Sequence, residues 1–173
     1  HTVDMVGWRK GVRMGMNIFS DQPFQVAYYK KQQMAEGIDE LIQKHQPDLL
    51  YAHLIRTAGY LKDYTKIPKI LAMLIAQTLN YQRLIAHEEN LVRKIFYTRE
   101  YQRVAKYEPQ IVRPFERILI ISPHDKKANS PNHIDHKVFY NPHGVDVNYY
   151  AENLEVRKAK NTIVMNGDFG VPT

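Results

Sequence analysis

Short aliphatic runs alternate with longer amphipathic stretches along the chain. Thr2 to Val6 forms a first candidate strand, Leu49-Leu50-Tyr51-Ala52 a second, and Ile67 to Leu74, with Pro68 near its start, a third. Arg117 to Ile121 is the clearest, with four consecutive aliphatics bounded by turn chemistry. Lys137 to Tyr140 and Thr162 to Met165 complete the set. Between Lys31 and His45 the apolar positions Met34, Ile38, Leu41 and Ile42 share one helical face with charges opposite, and Pro47-Asp48 ends the pattern. Gly7, Gly11, Gly15 and Pro23 break any long element before that helix. Aliphatic strands separated by amphipathic helices predict an α/β fold, a Rossmann-like, mostly parallel sheet with helices on both faces. An all-β sandwich would need hairpin turns at shorter spacing.

The stretch from Leu79 to Glu108 contains no Gly or Pro. A single straight helix of that length would run about 45 Å, long for a domain of this size. Leu84, Ile85, Leu91, Val92, Ile95 and Phe96 fall on one face, which reads as a core stripe. A straight continuation would carry Thr98, Arg99, Gln102 and Arg103 into the core, whereas Tyr97, Tyr101, Val104 and Ala105 form a stripe rotated around the axis. The pattern therefore predicts a bend or break near Tyr97-Thr98.

At 173 residues the chain can bury a full-sized core, and 44% hydrophobic with 24% charged residues is an ordinary globular mixture. No apolar run reaches the ~20 residues of a membrane-spanning helix. The opening His1-Thr2-Val3-Asp4 has neither the basic stretch nor the apolar segment of a secretory leader. Without cysteine, disulfides, thiolate catalysis and thiolate zinc sites are excluded. The net charge of +6 suits a solvated surface, an anionic membrane surface, a polyanionic sugar donor or nucleic acid. Lys and Arg are spread along the chain rather than blocked, which argues against nucleic acid.

Two turns carry explicit chemistry. Ser122-Pro123-His124-Asp125 follows a strand with a capping Ser, Pro at the first helical position and an early acid, so a helix should start there. In Asn141-Pro142-His143-Gly144-Val145-Asp146, Pro142 fixes one φ and Gly144 permits a positive one, which predicts a tight turn closing a buried strand. His53 and Arg56 follow the strand ending at Ala52. His133-Ile134-Asp135-His136 has tolerable spacing for imidazole ligands, but a loop sequence precedes it and no third ligand stands out, so no metal is expected. Glu88, Glu89 and Glu100 lie on helices rich in Lys and Arg, where i,i+4 pairing explains them. The twelve tyrosines read mainly as packing residues.

Four stretches, in order, resemble the family-4 glycosyltransferases, enzymes of GT-B architecture with two Rossmann-like domains facing a cleft. They are Leu79-Asn80-Tyr81-Gln82-Arg83, Glu100-x-x-Arg103 with Tyr107-Glu108, Phe115-Glu116 through Ser122-x-x-Asp125, and Asn141 to Asp146. The tail Val164 to Pro172 is similar to the opening of the family's donor-binding domain. The likeness covers most of the chain from Asp48 onward, and bacterial exopolysaccharide sugar transferases look most similar. It implies residues 1–150 as an acceptor-side domain truncated at its N-terminus, 151–161 as a linker and 162–173 as the first strand of a missing donor domain.

By the same resemblance the whole protein would be a hexosyltransferase-type enzyme moving a sugar from a nucleotide-sugar co-substrate to a saccharide or lipid-linked acceptor, with no further cofactor. It would work in the cytoplasm, peripheral to the inner membrane, and without nucleic acid. The fragment alone should be inactive and inclined to self-associate. Candidate acceptor or cleft residues are His53, Arg56, Ser122, Asp125, Asn141, His143, Gly144 and Asp146. Where the family's pattern has a polar residue at the end of the strand Ile67 to Leu74, this chain has Ala72 and Ile75, and aliphatic groups move no proton. The alternative is therefore a catalytically silent GT-B-like scaffold or a basic module that binds acidic polymers.

Overall fold

The computed structural model describes residues 20–123, 135–151 and 160–163. The expected strand Thr2 to Val6, the second half of Thr162 to Met165 and the start of the first proposed domain lie outside these residues. A short helix α1 (Phe24–Tyr29) leads into α2 (Gln32–His45), then β1 (Leu50–His53) and the single turn α3 (Ile55–Ala58). Next come β2 (Lys69–Leu74), α4 (Gln77–His87), α5 (Leu91–Val112) and β3 (Arg117–Ile120). A 3₁₀ turn, Asp135–Lys137, precedes β4 (Val138–Tyr140), and α6 (Val147–Ala151) follows.

The four strands form one sheet in the order β1-β2-β3-β4, parallel at every pairing. The expected α/β, Rossmann-like fold is what the chain adopts. Register fixes the faces, because paired residues in a parallel sheet point the same way. Ala52, Leu71, Ile118 and Val138 make a row across all four strands, each nearly inaccessible to solvent. They join Ile55 and Ala58 of α3, Val104, Ile111 and Val112 of α5, and Phe115 in one core. Ile38 and Ile42 of α2 and Tyr81 of α4 pack against the same cluster. His53, Ala72, Leu119 and Phe139 form the row on the opposite face, where Tyr51 and Phe139 remain 54% and 43% exposed. The Arg117 guanidinium lies 5.1 Å over the Phe139 ring on that side.

The long Gly-free stretch breaks, but not where the periodicity places the break. Glu88–Asn90 interrupts it, and α5 then runs as one uninterrupted helix through Tyr97-Thr98 and past Pro109 to Val112. Local capping chooses the site. The Asn90 side chain accepts hydrogen bonds from the backbone N–H groups of Val92 (3.0 Å) and Arg93 (3.2 Å), while Glu88 accepts from Asn90 N–H (3.0 Å). The apparent rotation of the stripe has a separate cause. Arg103 does enter the core, paired with the fully buried Glu100 at 2.5 Å, and Glu100 also accepts from the Phe24 N–H at 2.7 Å. Glu100 is thus a buried clamp rather than a partner on a solvated surface. Conversely, Leu91, Val92 and Ile95 are 75%, 78% and 69% exposed, outside the core they were expected to enter.

At the amino end of the sheet Lys69 is buried, its Nζ donating to the Tyr64 carbonyl. Its backbone N–H donates to Glu116 Oε2 (2.5 Å), and Glu116 N–H returns a bond to the Lys69 carbonyl (3.0 Å). This end is a structural clasp.

Candidate functional site

Because all four strands run the same way, the segments that follow β1, β2, β3 and β4 open on one rim. In sheets of this class ligands gather at that edge, where loops and helix starts expose backbone groups.

After β1, Leu54 takes φ 70°, a left-handed value that costs a bulky side chain free energy. Its N–H reaches back to the Ala72 carbonyl at 2.8 Å, and the Thr57 hydroxyl donates to the His53 (2.6 Å) and Leu54 (3.1 Å) carbonyls. His53 stays exposed on the second face of the sheet. Arg56 does not reach out freely; its guanidinium stacks 4.7 Å above the Tyr29 ring. The Tyr60 hydroxyl donates to the Tyr29 carbonyl and accepts from Lys31 N–H (2.6 Å), which fixes the α1–α2 junction beside it.

After β2, Ile75 N–H bonds the Met73 carbonyl (2.9 Å) across Leu74, which has φ 65°. That is a γ-turn with a positive central φ, a rare and strained arrangement. Ala72 is buried just before it and Ile75 is exposed just after, so the centre of the rim offers aliphatic side chains. The start of α4 would be the natural anion site here, since its first N–H groups lack helical partners. Glu108 of α5 already occupies it. Its carboxylate accepts from Gln77 N–H (2.8 Å), from Thr78 N–H (3.3 Å) and from the Thr78 hydroxyl. Burial pushes the Glu108 carboxyl above its ordinary range, although the bonds from Thr78 and Gln77 pull the other way. Gln25 of α1 closes over the same corner, its amide donating to Gln77 Oε1 at 3.3 Å.

After β3, Ile121 N–H donates to the Leu74 carbonyl (3.2 Å), Ser122 is half-buried, and Pro123 is the first helical residue. Asp125, His133 and the remainder of that turn lie outside the described residues. After β4, Asn141 N–H donates to the Ile120 carbonyl (2.8 Å) and residues 141–146 run exposed without a tight turn. Gly144 has no positive φ, and a Cβ there would meet nothing within 4 Å. The expected tight turn is therefore corrected to an open segment, and β4 is buried only at Val138. Its outer side is the sheet's edge, and no fifth strand among the described residues covers it. Asp146 Oδ1 accepts from Asn148 and Tyr149 N–H groups, both at 3.1 Å, so this carboxylate caps α6. His143 is exposed.

The rim thus collects His53, Arg56, Ser122, Asn141 and His143 along one edge, but not into one cluster. Three strand spacings, about 14 Å, separate the ends of β1 and β4. The sequence reading missed Tyr29 as the platform under Arg56 and Glu108 as the group filling the α4 start. Glu108 stood in a quoted motif, yet nothing local signals that it reaches a helix start some thirty positions earlier. Among the described residues, no helix is long and apolar enough to cross a membrane. Compared with protein-family models, curated proteins and solved structures, the chain matches none of them.

Proposed function

We propose that the chain is the acceptor-side half of a family-4 glycosyltransferase of bacterial polysaccharide synthesis. In this reading the whole protein is cytoplasmic, and its nucleotide-sugar donor is held by a second domain. The observation that supports it is the all-parallel sheet, which puts the polar segments after β1, β3 and β4 on a common rim in the order the motifs require. Exposed His53 and His143, with Arg56 held over the Tyr29 ring, offer donors to sugar hydroxyls along that rim. Reaction chemistry would then come from outside this rim, because its centre is aliphatic and the α4 start is closed to a diphosphate by Glu108.

That last feature also favours the second reading, a catalytically silent scaffold that binds saccharide without transferring it. Amide NMR titration of the isotopically labelled chain with neutral and acidic oligosaccharides tests the shared part of both. Shifts at His53, Arg56, Ser122, Asn141 and His143 are expected, with Arg56→Ala weakening the response several-fold. Nucleotide-sugars should leave these amides and the melting temperature unmoved. Shifts confined to the Lys69–Glu116 end, or a saturable stabilisation by a nucleotide-sugar, would overturn the assignment.

A further inference from the structure

We infer that Arg56 selects a sugar that carries an oxyanion, a uronate carboxylate or a phosphate; this rests on the acceptor-side reading above and narrows it. The guanidinium is half-buried and lies 4.7 Å from the centroid of the Tyr29 ring. Among the described residues it meets no carboxylate and donates no hydrogen bond. A ring attracts the charge but offers no lone pair to the five N–H donors of an arginine. Donors drawn partly out of water without an acceptor cost free energy, which a ligand oxygen recovers.

The surroundings set the sign of that ligand. Gln22 to Ala35, which holds α1 and the start of α2, has no acidic residue, and neither has Leu49 to Lys62, which holds β1 and α3. The same two segments carry Lys30, Lys31, His53, Arg56 and Lys62, and only Lys62 of these stands beside a carboxylate in sequence, pairing with Asp63 at 3.9 Å. The carboxylates that reach α1 and α4 from α5 are engaged, Glu100 by Arg103 and the Phe24 N–H, Glu108 by the start of α4. The corner is thus basic, and it attracts an anion.

It is also held in readiness. Leu54, with φ 70°, turns the chain out of β1 so that Arg56 falls on the single turn α3, and the Thr57 hydroxyl fastens that turn to the His53 and Leu54 carbonyls. Tyr60 bonds the Tyr29 carbonyl and the Lys31 N–H (2.6 Å), so the backbone that carries the ring is fixed as well. An arginine already held over a ring loses little further freedom on binding, and its fork matches two oxygens of a carboxylate or phosphate. A sugar hydroxyl takes a single, weaker bond without the charge.

Methyl glucoside, methyl glucuronide and methyl glucoside 6-phosphate differ only at the sixth carbon, and amide NMR titration of the labelled 173-residue chain with each is the test. Both anions should bind ~10-fold or more tightly than the neutral sugar at low salt, and the tighter of the two names the source of the oxyanion. Arg56→Gln should bring all three to the neutral sugar's affinity and leave that affinity little changed, because the amide still donates to hydroxyls. Arg56→Lys keeps the charge and the stem, so it covers the case in which Gln upsets the fold; it should lose most of the preference for the carboxylate, since an ammonium lacks the fork. Equal affinities in the wild type, or an anion preference that survives these substitutions, would overturn the inference while shifts at His53 and Asn141 with the neutral sugar still upheld the acceptor-side reading. No shift with any of the three would sink both. Inorganic phosphate bound as tightly as the sugar phosphate would also overturn it, because the corner would then hold an anion without reading a sugar.

Discussion

A carboxylate taken out of water is costly unless a cation or several donors meet it. Glu100 and Glu108 answer that cost in different ways. Glu100 pairs with Arg103 and also holds the start of α1, so Arg103→Met should leave its buried carboxyl without a counter-charge and remove about 3–5 kcal/mol. Adding Glu100→Gln to that variant should return part of the loss in urea denaturation; a double variant no better than the single one would refute the pairing. Glu108 has a folded pKa raised by burial above its unfolded value. Its neutral form is thus favoured by folding. The associated stability is fully present below the ordinary carboxyl range and is lost as pH rises through the raised value. Urea midpoints followed upward from mildly acid pH should therefore fall more steeply for the wild type than for Glu108→Gln, and parallel curves would contradict this. Two phenols behave alike at the alkaline end. Tyr81, through burial and then the Glu100 charge, and Tyr107, through burial, are pushed up to about 12. Stability tied to their neutral forms persists below pH 10 and disappears as pH passes through 12, and Tyr107→Phe should remove one late-ionising group from a tyrosinate absorbance titration.

Elements were legible in the sequence wherever their signal was local. Four strands appear within two residues of the expected bounds because aliphatic runs bounded by turns leave little else to choose. The helix Gln32–His45 likewise follows its 3.6-residue stripe, ending at Gln46 in a left-handed cap whose N–H returns to the Ile42 carbonyl (2.9 Å). The α4–α5 break was not legible, because periodicity treats every Arg as outward and every Leu as inward. Arg103 and Leu91 reverse both assumptions. Asn90 is the local signal that could have placed it, being a good N-cap residue directly before an apolar pair. Asn90→Ala should cost about 1 kcal/mol and speed amide exchange at Val92 and Arg93 ahead of the rest of α5. Unchanged exchange there would mean that packing rather than the cap sets the break. The candidate site was half legible. Sequence order could name the loops, but it could not foresee that Asp146 is used as a cap, or that Glu108 and the γ-turn at Leu74 close the centre of the rim.

At the scale of the whole molecule, strand order follows sequence order, with Leu50 paired to Lys69, Leu71 to Ile118 and Ile118 to Val138. Parallel pairs of this kind need long crossovers, and those crossovers bring α3, α4 and α5 to the single core. That ordering has a consequence for synthesis. A chain emerging from the ribosome at about 5–20 residues per second can join β1 to β2 early, then must wait some seconds while the residues of α4 and α5 are made. Through that interval β2 offers a bare, aliphatic edge to any other strand nearby. Nascent chains halted at Val112 should accordingly be degraded by added protease far faster than chains halted far enough past Ile120 for β3 to have left the exit tunnel, because the strand that shuts that edge is by then free to pair.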